Sequence, residues 1–448
     1  MDIHGIAQHA TEAFSWSDPK VLLATAIFLI TYALILTEKI NRAVLAVLGG
    51  GLMVLLGIMD QNSAIFSVDF NTIGLLLGMM IIVAVTKESG VFQYMAIWAS
   101  KKVNANPMGI LISLSIVTAV FSALLDNVTT VLLITPVILL ITRELEVKPY
   151  PYLFATIFAS NVGGSATLIG DPPNIMIGSA ADLSFNAFVV NLAPISFVVM
   201  ILTMIPICLI WRKDLVTTDK AKERIMRMNE REAITDVELL VKSAFVLALV
   251  TFGFTYGHSH HIMPATAAMM GAALLLLLDN LHHNSEKQHE KIHAAIAEAE
   301  WVTLFFFCGL FVIVHGIQNV GVINWLAEQL MTATEGNINN TIIATLWGSA
   351  IISALVDNIP FVATMIPMIK TMAPMLGESL DPMWWSLALG ACLGGNGSLI
   401  GASANLVVAG FAERAGHRIS FMKFMMAAFP LMLFSILIAH FYVVWRYL

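Results

Sequence analysis

A carboxylate in the middle of a segment apolar enough for lipid constrains this chain more than any other feature, and the chain has two. Residues 122–136 read SALLDNVTTVLLITP, with Asp126 and Asn127 near their centre. An Asp at the bilayer centre costs roughly 2.5–3.5 kcal/mol on insertion scales, so it is expected only where it faces a cavity, a partner or an ion. Residues 353–367 then read SALVDNIPFVATMIP, and 357 − 126 = 231. The same offset carries GGSATLIGDPPN (163–174) onto GGNGSLIGASAN (394–405) without a gap, and it maps Thr72 onto Thr303, Gly78 onto Gly309, Gly90 onto Gly321 and Pro151 onto Pro382. The chain repeats a whole folding unit, not a short motif.

Of the 448 residues, 58% are hydrophobic and 12% charged, where soluble domains carry about 25% charge. With a mean hydropathy of +0.82 this is an integral membrane protein. The net charge of −7 says little about a global field, because the basic residues gather in particular loops. Cys208, Cys308 and Cys392 stand singly in apolar surroundings, with neither a disulfide framework nor metal-ligand spacing, and are expected to be packing residues. An intramembrane enzyme would need a nucleophile–base pair or a motif such as HExxH, and the sequence holds none. No cofactor and no nucleic-acid partner is expected. Asp2, Glu12 and Asp18 make the first residues the wrong start for a secretory signal, so 1–19 reads as a polar tail.

Apolar segments near 20–37, 43–59 and 71–86 are each long enough, or nearly so, to cross roughly 30 Å of hydrocarbon. Lys39 and Arg42 lie in the first loop and Asp60 and Asp69 in the second, which places the N-terminus outside. Residues 91–100 suit an interfacial helix on the cytoplasmic face. Residues 108–142 are interrupted at Asp126 and Asn127 and flanked at both ends by basic residues (Lys101, Lys102, Arg143, Lys148), which predicts a re-entrant hairpin. Residues 150–181 read as one crossing unwound by Gly163, Gly164, Gly170, Pro172 and Pro173. A span at 188–211 completes a first transmembrane repeat, 20–211. A charged cytoplasmic linker follows at 212–239, expected to be a solvated connector.

The second repeat, 240–448, is predicted to carry spans near 240–257, 263–279 and 301–317, an amphipathic piece at 322–333, a hairpin at 340–376, a broken crossing at 384–412 and a last span at 424–445. An odd number of crossings separates the copies, so their topologies are inverted. The fold class is an all-α polytopic membrane protein of two inverted-topology repeats, each with a re-entrant hairpin and a broken transmembrane helix. That architecture belongs to alternating-access transporters, with a site at the midplane.

The hairpin tips and helix breaks should converge. The hairpins supply Asp126, Asn127, Thr129, Thr130, Asp357 and Asn358. The breaks add Asn161, Ser165, Thr167, Asp171, Asn174, Asn396, Ser398, Ser403 and Asn405. Amides, hydroxyls and carboxylates are hard oxygen ligands suited to small hard cations such as Na+, chiefly at Asp126, Asn127, Asp357 and Asn358, while half-helix N-termini also attract anions. The plainer alternative is that these residues cap half-helices, since Asp and Asn are good N-caps. Uncharged Ser or Asn would cap without the ionisation cost, so two hairpin carboxylates imply neutralisation by a cation or a proton. Asp171 faces Ala402 in the repeat register, and cap and ion or proton ligand remain equal readings for it. His258, His260 and His261, and again His282 and His283, fall on opposite faces and read as loop residues; His315 reads as a core histidine.

DNVTT with GGSATLIGDPPN, and DNIP with GGNGSLIGASAN, resemble the ion transporter superfamily that holds the arsenite permeases, the divalent-anion/sodium symporters and the NhaD-type sodium/proton antiporters. The resemblance covers most of the chain and is closest to the NhaD type. Symporter members carry Ser-Asn-Thr at the hairpin tips, and here Asp126 and Asp357 stand in the Ser position, which disfavours a dicarboxylate. The resemblance implies a homodimer with elevator-like motion in the bacterial inner membrane. The leading expectation is exchange of Na+ or Li+ for H+, because a desolvated carboxylate is a site for which proton and cation compete. An oxyanion, arsenite or dicarboxylate permease is the alternative. A channel is disfavoured, since duplicated broken helices suit rocking around a fixed site better than a continuous pore.

Overall fold

The 231-residue register is preserved in the helices themselves. The computed structural model describes residues 14–37, 39–376 and 380–448, which contain no strand. The polar tail expected at 1–19 lies, up to residue 13, outside the described residues. The first half runs α1 (Pro19–Leu36), α2 (Arg42–Leu55), a short α3 (Gln61–Phe66), α4 (Phe70–Lys87), α5 (Val91–Lys102), the hairpin α6 (Pro107–Leu124) and α7 (Asn127–Glu144), the broken crossing α8 (Tyr150–Gly164) and α9 (Pro172–Ala181), and α10 (Phe185–Ile210). After α11 (Asp219–Arg227) come α12 (Val237–Gly257), α13 (Pro264–Asn280), α14 (Ser285–Ala297), α15 (Trp301–Asn319), α16 (Val322–Ala333), the hairpin α17 (Ile338–Leu355) and α18 (Asn358–Leu376), the broken crossing α19 (Asp381–Gly394) and α20 (Ser403–Arg414), and α21 (Phe421–Tyr447). Adding 231 to the bounds of α5 and α6 gives those of α16 and α17.

Two glycine pairs show why the register is held so closely. Gly90 and Gly321 both enter the following helix from the left-handed region, at φ +79° and +82°, where a side chain would be strained. Gly163 lies directly on the backbone of Ala119, and Gly394 on that of Ala350, so a Cβ at either would collide with a carbonyl oxygen. These contacts seat each broken helix against its own hairpin.

Among the described residues nine helices are long and apolar enough to cross a membrane, and α2 and α13 are shorter apolar helices. Between the hairpins lie the broken pair α8–α9, the long apolar α10, α12 and α15 and the shorter apolar α13, in an architecture of inverted repeats. The chain is a multi-pass integral membrane protein.

By contacts the described residues form two compact units, each drawing on both repeats. One comprises the described residues of Met1–Asp69, Phe305–Ile338 and Ala363–Glu378. In it Gly309 of α15 meets the backbone of α2 at Ala46 and Val47, Arg42 lies 5.0 Å over the Phe306 ring, and Asn319 donates to the Ile58 carbonyl at 2.9 Å. His315 is half-buried there. The other comprises the described residues of Phe70–Leu304, Asn339–Val362 and Ser379–Leu448. Gly78 of α4 meets Ala268 of α13 in it, as Gly309 meets Ala46 in the first, and Phe154, Phe158, Trp211 and Phe424 build an aromatic core beside α8.

Three features depart from the sequence expectation. α3 forms where a loop was expected, because Asp60 accepts from the Asn62 and Ser63 amides and caps it. α14 forms beyond His282 and His283, capped by Asn284 and tied down by Lys291–Asp279 and Lys87–Glu298, both at 2.9 Å. The linker is anchored rather than simply solvated. Arg224 donates to the Glu144 carbonyl at the end of α7 and pairs with Glu146 at 2.7 Å, Lys101 pairs with Glu230 at 2.5 Å, and Thr235 bonds Ser89 and Glu88 at the α4–α5 turn.

Candidate functional site

Both hairpins end in an Asp that turns the chain into a new helix. Asp126 accepts from the Thr129 amide at 2.7 Å and opens α7; Asp357 accepts from the Ile359 amide at 3.0 Å and opens α18. Each tip is fastened to its break by a matched serine, Ser122 donating to the Ser160 carbonyl at 2.6 Å and Ser353 to the Ala391 carbonyl at 2.7 Å. Non-helical backbone at membrane depth needs such internal partners for its polar groups.

The breaks are held open by a second matched set. The Asn174 amide donates to the Gly164, Ser165 and Thr167 carbonyls, the last at 2.8 Å, and Asn405 donates to Gly395 at 2.7 Å and Ser398 at 2.8 Å. Thr167 accepts from the Gly170 amide and Ser398 from the Gly401 amide, both at 3.2 Å, and Thr167 also donates to the Ala123 carbonyl of the hairpin. Asn174, Thr167 and Ser398 are therefore chiefly fasteners of unwound backbone. The Ser165 hydroxyl meets that of Ser196 of α10 at 2.8 Å.

What remains is a buried polar cluster. Asn161 donates to Asn396 at 3.0 Å and Asn405 at 2.9 Å and accepts from Asn127 at 3.2 Å. Asn358 donates to both oxygens of Asp171, at 3.3 and 3.4 Å, and Ser403 donates to Asp357 at 2.9 Å. Asp171 is also within reach of Asn127 and Cys392, and near enough to Asp357 for the two charges to interact. Asp126 is buried next in the chain to Asn127, with Thr129 as its hydrogen-bond partner. Three buried side-chain atoms of the lining expected from the sequence, Asn127 Oδ1, Thr130 Oγ1 and Asn396 Nδ2, have no protein hydrogen-bond partner among the described residues. Two of them are oxygens of the hard kind that small cations prefer.

Two further residues take their places here. Asp171 occupies the N-cap position of α9 but makes no capping hydrogen bond; its carboxylate reaches across to the second hairpin. Cys392, expected to be a packing residue, is buried in the cluster with Sγ 3.5 Å from Asn174 Oδ1. The signal was present in the register, because 392 − 231 is Asn161. No group of three or more His, Cys, Asp or Glu fit to hold a metal occurs among the described residues.

The chain matches the family model described as a citrate transporter over residues 32–390. It is 40% identical over 433 residues to the 46 kDa membrane protein of Mycobacterium leprae, covering 95% of this chain and 99% of that one. It is 32% identical over 520 residues to the P protein of Homo sapiens, covering 96% of this chain and 61% of that one. Among solved structures, the YdaH transporter of Alcanivorax borkumensis superposes with a TM-score of 0.61 at 15% identity, covering 96% of this chain and 98% of that one, a likeness of fold.

Proposed function

This chain belongs to the citrate transporter family of ion transporters, in the bacterial inner membrane, and we propose that it exchanges Na+ or Li+ for H+ by alternating access, in the manner of the NhaD-type antiporters. Its relatives are named as transporters, which fits transport rather than catalysis. The observation that carries the finer reading is the charge of the cluster. Asp126, Asp171 and Asp357 are all buried, and residues 122–136, 160–178, 353–367 and 387–410 contain no Lys, Arg or His. Like charges in an apolar interior are relieved by a proton or a cation, not by an anion.

The ligand set of this reading is the full polar lining named from the sequence, with Asp126, Asn127, Asp357 and Asn358 as the chief Na+ ligands. Thr129 contributes its amide to Asp126 and Thr130 its hydroxyl, while Asn174, Asn405, Thr167 and Ser398 keep freed carbonyls in place. The working protein would be a homodimer built from repeats 20–211 and 240–448 with the cytoplasmic linker 212–239 between them.

The family description favours a second reading, an anionic substrate such as a carboxylate. The N-termini of α7, α9, α18 and α20 all begin at the tips and breaks, and such ends attract anions. Three of those four ends already carry an Asp, which uses the positive potential an anion would need. Purified protein in proteoliposomes under an imposed pH gradient separates the two. Protons should move on addition of Na+ or Li+ and stay on addition of citrate, sulfate or arsenite; the reverse pattern hands the site to an anion.

A further inference from the structure

A cavity of about 270 Å³ opens beside the turn between α12 and α13, with room for about nine waters at ~30 Å³ each. Its rim is exposed and polar, formed by Asp182, His258 and His261. Its wall includes Asn71 of α4, which donates to Ser179 of α9 at 3.0 Å and accepts from the Ala265 amide at 3.2 Å. Its floor is buried and apolar, and there Leu168, 1% exposed, rests against Gly178.

The position of Leu168 gives the cavity its meaning. Leu168 belongs to the unwound segment between α8 and α9 and directly follows Thr167, whose carbonyl accepts from Asn174 and whose hydroxyl donates to the Ala123 carbonyl of the first hairpin. A solvent-lined space thus ends on an apolar side chain borne by the same few residues that hold the polar cluster. The duplication did not impose the polar wall. At the equivalent positions of the second repeat Asn71 becomes Val302 and Ser179 becomes Gly410, so these polar groups belong to the first repeat alone. Water beside an apolar constriction is the arrangement by which a pore closes through dewetting.

We propose that this cavity is the vestibule through which a hydrated small cation reaches the carboxylate cluster from the face carrying His258 and His261, and that Leu168 is the side chain that shuts it. The inference rests on the cation-exchange reading above and adds to it a route and a barrier.

The test uses the full chain in proteoliposomes, in a background lacking Cys208 and Cys308. Ser179→Cys should react with a charged, membrane-impermeant methanethiosulfonate from one face only, and modification should abolish Na+-driven proton movement; the same label on Ser259→Cys, at the exposed turn, should leave it intact. Leu168→Ala should let protons cross without Na+, while Leu168→Met should stay tight. The vestibule is overturned if the Ser179→Cys variant reacts from neither face, if its modification leaves exchange intact, or if Leu168→Ala is as tight as the parent. Labelling and leak are both read without Na+, so they decide for or against the vestibule even where Na+ exchange itself fails.

Discussion

The two copies of the hairpin-and-break unit agree where backbone must be held and differ where side chains meet. Ser122 and Ser353 fasten their tips alike, Asn174 and Asn405 brace their breaks alike, and Thr167 and Ser398 accept the same turn amide. In the cluster the match fails, at Ser165/Asn396 and Thr130/Phe361 and at three further positions. Asn161 is replaced by Cys392, Asp171 by Ala402 and Pro172 by Ser403. As a result Asp357 takes a hydroxyl from Ser403, whereas Pro172 at the matching position offers Asp126 none and Asp126 draws its donors from Thr129, while Asp171 draws Asn358 across from the other copy. Duplication supplied a scaffold that opens two helices at membrane depth; divergence within it made one asymmetric cluster rather than two equal half-sites.

The largest effect should come from the elements the copies share. Asp126→Asn and Asp357→Asn should each abolish exchange in proteoliposomes while protein remains in the membrane. A hydrogen bond to a charged group contributes about 1.5–3 kcal/mol, roughly ten- to hundredfold in affinity, and charge neutralisation is lost with it. Normal transport by either variant would reduce these residues to the caps they also are.

Asp171→Asn probes what only one copy has. It keeps the shape of the side chain, so exchange should fall by about tenfold, one charge-assisted interaction's worth, and not vanish. A loss as complete as that of the hairpin variants would move the centre of the chemistry from the shared residues to the unshared one.

The smallest effect concerns the linker, which is fastened to the base of the first hairpin through Arg224 and to α5 through Lys101. The hydrogen bond from Lys101 holds the Glu230 carboxyl below its ordinary value. The stabilisation from this pair is therefore complete above the ordinary Glu pKa of about 4.3 and fades as pH falls through the lower, folded value. Glu230→Gln should lower the melting temperature slightly at pH 7, and by progressively less as pH falls below the ordinary Glu range. A deficit that does not shrink with falling pH would show that packing, not charge, fastens the linker.

Much of this was legible in the sequence because the constraint was geometric. Buried aspartates and glycines against backbone admit few substitutes, so the 231-residue register located both hairpins and both breaks. It failed where the copies diverged by insertion. Gly78 pairs with Ala268 and Gly309 with Ala46, and 268 − 46 is 222, so the first helices follow a different offset. α14 escaped notice because its helix is held by ion pairs to Asp279 and Lys87, which local sequence does not display. Cys392 was missed because the residue type was read by itself, although its repeat position pointed to Asn161.

The central claim is that one buried carboxylate cluster accepts either a cation or protons. The most direct test is the apparent KM for Na+ as a function of pH in proteoliposomes. If one proton competes with one ion, KM should rise by up to about tenfold for each unit by which pH falls, because 1.4 kcal/mol is tenfold in an equilibrium constant. A KM that stays flat over about two pH units below the activity optimum would contradict competition at the cluster, since two units would otherwise separate the protonated and ionised forms by roughly a hundredfold.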